Sequence, residues 1–273
     1  MASDPKSPLA LWHLLSLDAP TVAALWTWFI ARACRIDLQL SSTLAMGIAV
    51  WTLYAADRLL DAQALNPGAL EARHHFHHRN RTAFLAGIVV ASVLLAALLP
   101  RIPQEAIHLY LILGGLVFGY FVLIHATQSA HRLPKEIAVG VCFAAAVYIP
   151  SVARDPGLRV ALLPSALLFA ALCSLNCLFI YAWEHPAHVA QAPHTITASA
   201  LRYLPGLTIA VAAASAVLTG LDRRAPWPIP GAISLAAAAL LLLHLRRDRH
   251  TRLVMRAVAD VALLTPALLL PFV

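Results

Sequence analysis

Charge is scarce in this sequence: Asp, Glu, Lys and Arg make up 12% of 273 residues, against 60% hydrophobic. A soluble domain of this length carries about twice that charged fraction, so a water-soluble globular fold is excluded. Cysteine is equally sparse. The four cysteines, Cys34, Cys142, Cys173 and Cys177, all fall in apolar runs, which argues against a disulfide framework. Cys173 and Cys177 share a helix face, but with no second clustered pair they read as packing residues rather than a zinc site. The N-terminal stretch Met1-Ala-Ser-Asp-Pro-Lys-Ser-Pro8 lacks the basic region of a cleavable signal, and Asp18 interrupts the first apolar run. The first span is therefore expected to stay in the mature protein. The GxxxxGK[ST], GxGxxG, CxxC and GxSxG patterns are absent as well, which removes the usual nucleotide, redox and hydrolase signatures.

What the sequence has is length in apolar runs. Stretches of roughly 20 apolar residues, enough to cross about 30 Å of hydrocarbon, recur from end to end. The alternation of a membrane barrel is missing. The expected fold is all-α: one polytopic domain over 1–273 with nine membrane helices. They cover about 16–34, 41–62, 82–99, 106–126, 136–153, 161–184, 203–220, 229–246 and 254–272. Proline-bearing charged turns separate them at Pro100-Arg-Ile-Pro103, Arg154-Asp-Pro-Gly157 and Asp222-Arg-Arg-Ala-Pro-Trp-Pro-Ile-Pro230. With a cytoplasmic N-terminus, thirteen of the 20 basic residues face the cytoplasm and seven face the other side. That bias sets the N-terminus inside and, with nine spans, the C-terminus on the opposite side. The basic excess thus serves orientation, and nucleic acid is not implied.

This topology gathers polar residues at one surface. Asp57 and Asp61 end the second span, four residues apart and on one helix face, with Cβ atoms roughly 6 Å apart. Like charges so placed repel, and acids at the edge of hydrocarbon are candidate functional residues. A divalent cation would relieve both costs; a structural salt-bridge cluster through Arg58 is the plainer alternative. Asn176, Ile180 and Glu184 lie at i, i+4 and i+8 on the sixth span, where an amide and a carboxylate can offer oxygen to a hard cation or simply bond to a neighbouring helix. Asp18, Glu136 and Asp260 are expected near the cytoplasmic starts of spans one, five and nine, where the helix dipole favours acids. Arg132-Leu-Pro-Lys135-Glu136 opens span five with the cations a diphosphate leaving group needs, or with ordinary positive-inside anchors. Between spans two and three, Glu71-Ala-Arg73-His74-His75-Phe76-His77-His78-Arg79-Asn80-Arg81 reads as a short water-exposed cationic segment. Its histidines formally fit one HxxHH box of membrane di-iron enzymes, but that chemistry needs several such boxes, and the remaining histidines are irregularly spaced.

Nine spans, acidic motifs closing spans two and six, and a basic entry to span five together resemble the UbiA-type intramembrane prenyltransferases. The local anchors are Tyr54-Ala-Ala-Asp57-Arg-Leu-Leu-Asp61, Lys135-Glu136 and Asn176…Glu184. The sequence departs from that family at Leu53, where the first motif often has Asn, and at Ile180, where the second usually has Asp. The resemblance implies a multi-pass enzyme of a bacterial cytoplasmic membrane with its site on the cytoplasmic side. Its substrates would be an isoprenyl diphosphate and a lipophilic, commonly aromatic acceptor, reached through membrane lipid, and its cofactor Mg2+. By position Asp57, Asp61, Asn176 and Glu184 would be the metal ligands, while Lys135, Arg73, Arg58 and Asn176 would contact the diphosphate. The alternatives are a non-catalytic transporter or membrane assembly protein on the same fold, and a histidine-ligated di-iron oxygenase or desaturase.

Overall fold

The computed structural model describes residues 8–64, 72–126, 134–184, 194–221, 225–249 and 251–273, and every regular element among them is helical. In chain order these are α1 (Pro8–Leu14), α2 (Asp18–Ala33), α3 (Leu40–Ala64), α4 (Ala72–Arg79), α5 (Arg81–Leu98) and α6 (Gln104–Ala126). There follow α7 (Lys135–Arg154), α8 (Leu158–Glu184), α9 (Thr195–Arg202), α10 (Leu204–Leu221), α11 (Pro228–Leu245), α12 (Arg252–Ala262) and a closing 3-10 segment, Thr265–Phe272. Six segments among the described residues are long and apolar enough to cross a membrane: Arg81–Arg101, Lys135–Arg154, Leu158–Glu184, Leu204–Leu221, Pro228–Leu245 and Val254–Phe272.

Each helical run expected from the sequence overlies a helix, with two differences. The last run is not continuous. Pro266 lacks the N–H that would reach back to Ala262, so α12 stops there and the chain tightens into 3-10 geometry. The polar segment after α3 is exposed at His78, Arg79 and Arg81, as expected, but residues 72–79 form α4 rather than a loop, and His77 is fully buried. His77 is held because its Nε2 lies 3.2 Å from the Ser16 hydroxyl and its ring stacks on Phe84, 4.3 Å between centroids. α4 therefore folds back over α1, α3 and α5.

The core forms around α2, whose Trp26, Phe29 and Ile30 are wholly buried. Trp26 packs on Phe169 of α8 at 4.3 Å between ring centroids. Its indole N–H donates to the Leu263 carbonyl at 2.8 Å, an acceptor left open where α12 ends. A second helix break is used in the same way. Pro150 inside α7 deprives the Ala146 carbonyl of its helical donor, and the Tyr110 hydroxyl of α6 donates to it at 3.2 Å. α7 and α8 make the most extensive helix pair among the described residues. Gly140 sets their separation: a Cβ there would stand 2.4 Å from the backbone nitrogen of Ser174, so only glycine allows this approach. At the periphery, α5, α6 and α10 leave apolar side chains such as Val89, Val93, Leu116, Phe118 and Val217 exposed, a surface suited to lipid.

Candidate functional site

The polar residues that the sequence scatters along the chain collect into a buried cluster at one place. α1 and α2 are joined by a tight turn in which Ser16 takes a left-handed φ of 57°, an uncommon conformation for a residue with a Cβ. The turn brings His13 back onto Asp18, the first residue of α2, with His13 Nδ1 2.5 Å from Asp18 Oδ2. The second carboxylate oxygen, Oδ1, accepts from the Ala19 backbone N–H at 3.0 Å. From α3, Arg58 donates through Nη1 to the His13 carbonyl at 2.8 Å and through Nη2 to Asp18 Oδ2 at 3.3 Å. His13 and Asp18 are each 1% exposed and Arg58 is 5% exposed. Taking such charges out of water is costly, and only mutual pairing with further hydrogen bonds makes it tolerable.

α12 supplies the other half. Asp260 Oδ1 accepts from the Asn176 amide of α8 at 3.1 Å. One ligand atom each from His13, Asp18 and Asp260 lies within 4.8 Å of the other two. Tyr54, one turn before Arg58 on α3, packs against the same core. Five helices therefore meet at one depth: α1, α2, α3, α8 and α12. Four residues earlier on α12, Arg256 forms an ion pair with Glu184 at the end of α8. The polar face of α8 is thus zipped against α12 at two levels.

The sequence-derived candidates fall in different places. Arg58 and Asn176 belong to the buried cluster, and Glu184 is bound to Arg256. Asp57 lies on an exposed face of α3, and Lys135 is exposed at the first residue of α7. Beside it, Glu136 accepts a hydrogen bond from the Thr197 hydroxyl of α9 at 3.4 Å. Asp61 and Arg73 lie on α3 and α4, but their side chains are outside the described residues, as is Arg132 altogether.

Asp260 lies in the first third of the Val254–Phe272 span, as expected, but α12 itself ends at Ala262, so the acid sits in a C-terminal turn where the helix dipole disfavours it. Its side chain is held by the Asn176 amide instead. His13 and Arg256 escaped the sequence reading as site residues. The signal was available for Asp18 and Asp260, since an acid within an apolar helix is a functional candidate whatever its distance from a motif. Comparison with known proteins adds no constraint: no protein-family model, curated protein or solved structure matches this chain.

Proposed function

We propose that this chain is an integral membrane prenyltransferase of nine spans, N-terminus cytoplasmic and C-terminus opposite, that moves an isoprenyl group from a prenyl diphosphate to a lipophilic acceptor. The observation that carries the reading is the meeting of α3 and α8 at one depth. Arg58 of α3 and Asn176 of α8 both close on the buried cluster, through Asp18 and Asp260, and α7 packs along α8.

The donor chemistry suits Mg2+ in one half of the site. Asp57 is an exposed hard-oxygen ligand at the end of α3 and Asp61 follows one turn on. Asn176 is engaged by Asp260 through its amide nitrogen, and Glu184 is paired with Arg256; in this proposal Asp57 and Asp61 hold the metal. Bound there, Mg2+ would neutralise charge on the diphosphate as its bond to the prenyl carbon breaks. The exposed Lys135 ammonium would bind the same diphosphate, and the apolar flanks of α3, α7 and α8 would keep water from the prenyl group. The test is a transfer assay with a prenyl diphosphate and detergent-solubilised protein. Asp61→Asn should abolish transfer while thermal stability holds; unchanged turnover would remove the pair from the chemistry.

A second reading has its own observation. The motif residues Asn176 and Glu184 both bond to α12, through the Asn176 amide nitrogen and the Glu184 carboxylate, as expected for a transporter or assembly protein that uses them as interhelical contacts. That reading predicts no transfer with any prenyl diphosphate and no effect of Mg2+ on its binding.

A further inference from the structure

We propose that His13, Asp18, Asp260 and Asn176 form a buried binding site for one divalent transition-metal ion, separate from the Asp57/Asp61 pair and independent of the transferase reading. Three observations lead there. The first is convergence. The ligand atoms of His13, Asp18 and Asp260 lie within 4.8 Å of one another, although they come from α1, α2 and α12. Bonds of about 2.0–2.2 Å from nitrogen and oxygen ligands to zinc separate neighbouring ligand atoms by roughly 3–4 Å. The group needs only small side-chain shifts to reach that arrangement: His13 and Asp18 opening from 2.5 Å, and the longest separation closing.

The second observation is crowding of acids. The carboxylates of Asp18 and Asp260 stand together in a largely buried cluster whose cation, Arg58, donates to Asp18. Two carboxylates so placed need a proton or a metal cation between them. The third is an open acceptor. Asn176 is 6% exposed, its amide nitrogen is committed to Asp260, and its carbonyl oxygen Oδ1 is buried with no hydrogen-bond partner. A buried amide oxygen beside two carboxylates is a set with more acceptors than donors. A proton on His13, or one shared by the two carboxylates, would relieve the crowding, but neither serves Asn176 Oδ1. A metal ion serves the imidazole, both carboxylates and the amide oxygen at once.

The ligand chemistry also selects the ion. Magnesium and calcium favour all-oxygen sites, whereas an imidazole together with carboxylates suits zinc, manganese or iron(II). Arg58 lies behind the site, donating to Asp18 and to the His13 backbone carbonyl. It would hold both ligands in place in the manner of outer-shell groups at metal centres.

The test uses the full chain in detergent, stripped with chelator and titrated with zinc alone. Because the segment 74–78 is rich in histidine, the reference protein carries His74→Gln, His75→Gln and His78→Gln. It should retain one zinc per chain at micromolar free zinc. Adding Asp260→Asn or His13→Ala should weaken that binding at least tenfold. X-ray absorption of the zinc-loaded reference protein, which needs no change to the cluster, should show one imidazole among oxygen donors and no sulfur. Absence of zinc binding, binding undiminished by Asp260→Asn, or a spectrum with two or more imidazoles or a sulfur ligand would each overturn the assignment.

Discussion

Asp18 and Asp260 are separated by almost the whole chain, yet they share one buried cluster; Asp57 and Asp61 are one helical turn apart, and Asp57 faces outward. The first pair is joined by tertiary packing alone, through a left-handed turn at Ser16 and the seating of α12 against α8. The second pair is joined by helix geometry and needs no fold at all. Arg58 separates the two. It is the sequence neighbour of Asp57, but the rotation of about 100° per helical residue turns it inward to Asp18 and the His13 carbonyl. Burial is what makes the difference energetic: a buried charge pair broken on one side leaves an uncompensated ion, whereas an exposed carboxylate is screened by water.

The contrast gives an order of effects. Arg58→Ala should be the most damaging change, because it strands Asp18 in the interior and removes the donor to the His13 carbonyl. A loss of about 3–5 kcal/mol is expected, read as a fall in the denaturation midpoint in detergent. Gly140→Ala should follow, at about 1–3 kcal/mol. It forces α7 away from Ser174 and so displaces Asn176, two residues further on α8. Glu184→Gln should cost less, about 1–2 kcal/mol, since it weakens a partly exposed charge-assisted bond to Arg256 and keeps its shape. Asp57→Asn should change stability by less than about 1 kcal/mol. A larger loss for Asp57→Asn than for Arg58→Ala would erase the distinction between the two acidic pairs.

The same contrast explains what could be read in advance. Helix positions were legible because apolar runs and proline turns are local features, and the starts and ends of α2, α3, α7 and α8 lie within a few residues of where those features place them. The short helices α1, α4 and α9 were not, since each is seven or eight residues long, and such segments gain their order from packing rather than from propensity. Asn176 and Arg58 stood out as polar residues in apolar surroundings. Their partners did not: His13 reaches Asp18 only through the turn at Ser16, and Asp260 reaches Asn176 only once α12 lies along α8. Asp260 lies in the first third of the expected 254–272 run but in the last turn of α12, because that helix ends ahead of Pro266. Pairings of that kind are set by tertiary contact, which no local spacing encodes.

The most direct test of the account is a pair of double-mutant cycles on Arg58, one with Asp18 and one with Asp57, measured by unfolding in detergent. Arg58→Gln combined with Asp18→Asn should give a coupling of more than about 1 kcal/mol, as residues within one ion-pair network do. Arg58→Gln combined with Asp57→Asn should give a smaller coupling, within about 0.5 kcal/mol of additivity. Coupling to Asp57 equal to or larger than coupling to Asp18 would contradict the buried cluster as the centre of this molecule's polar site.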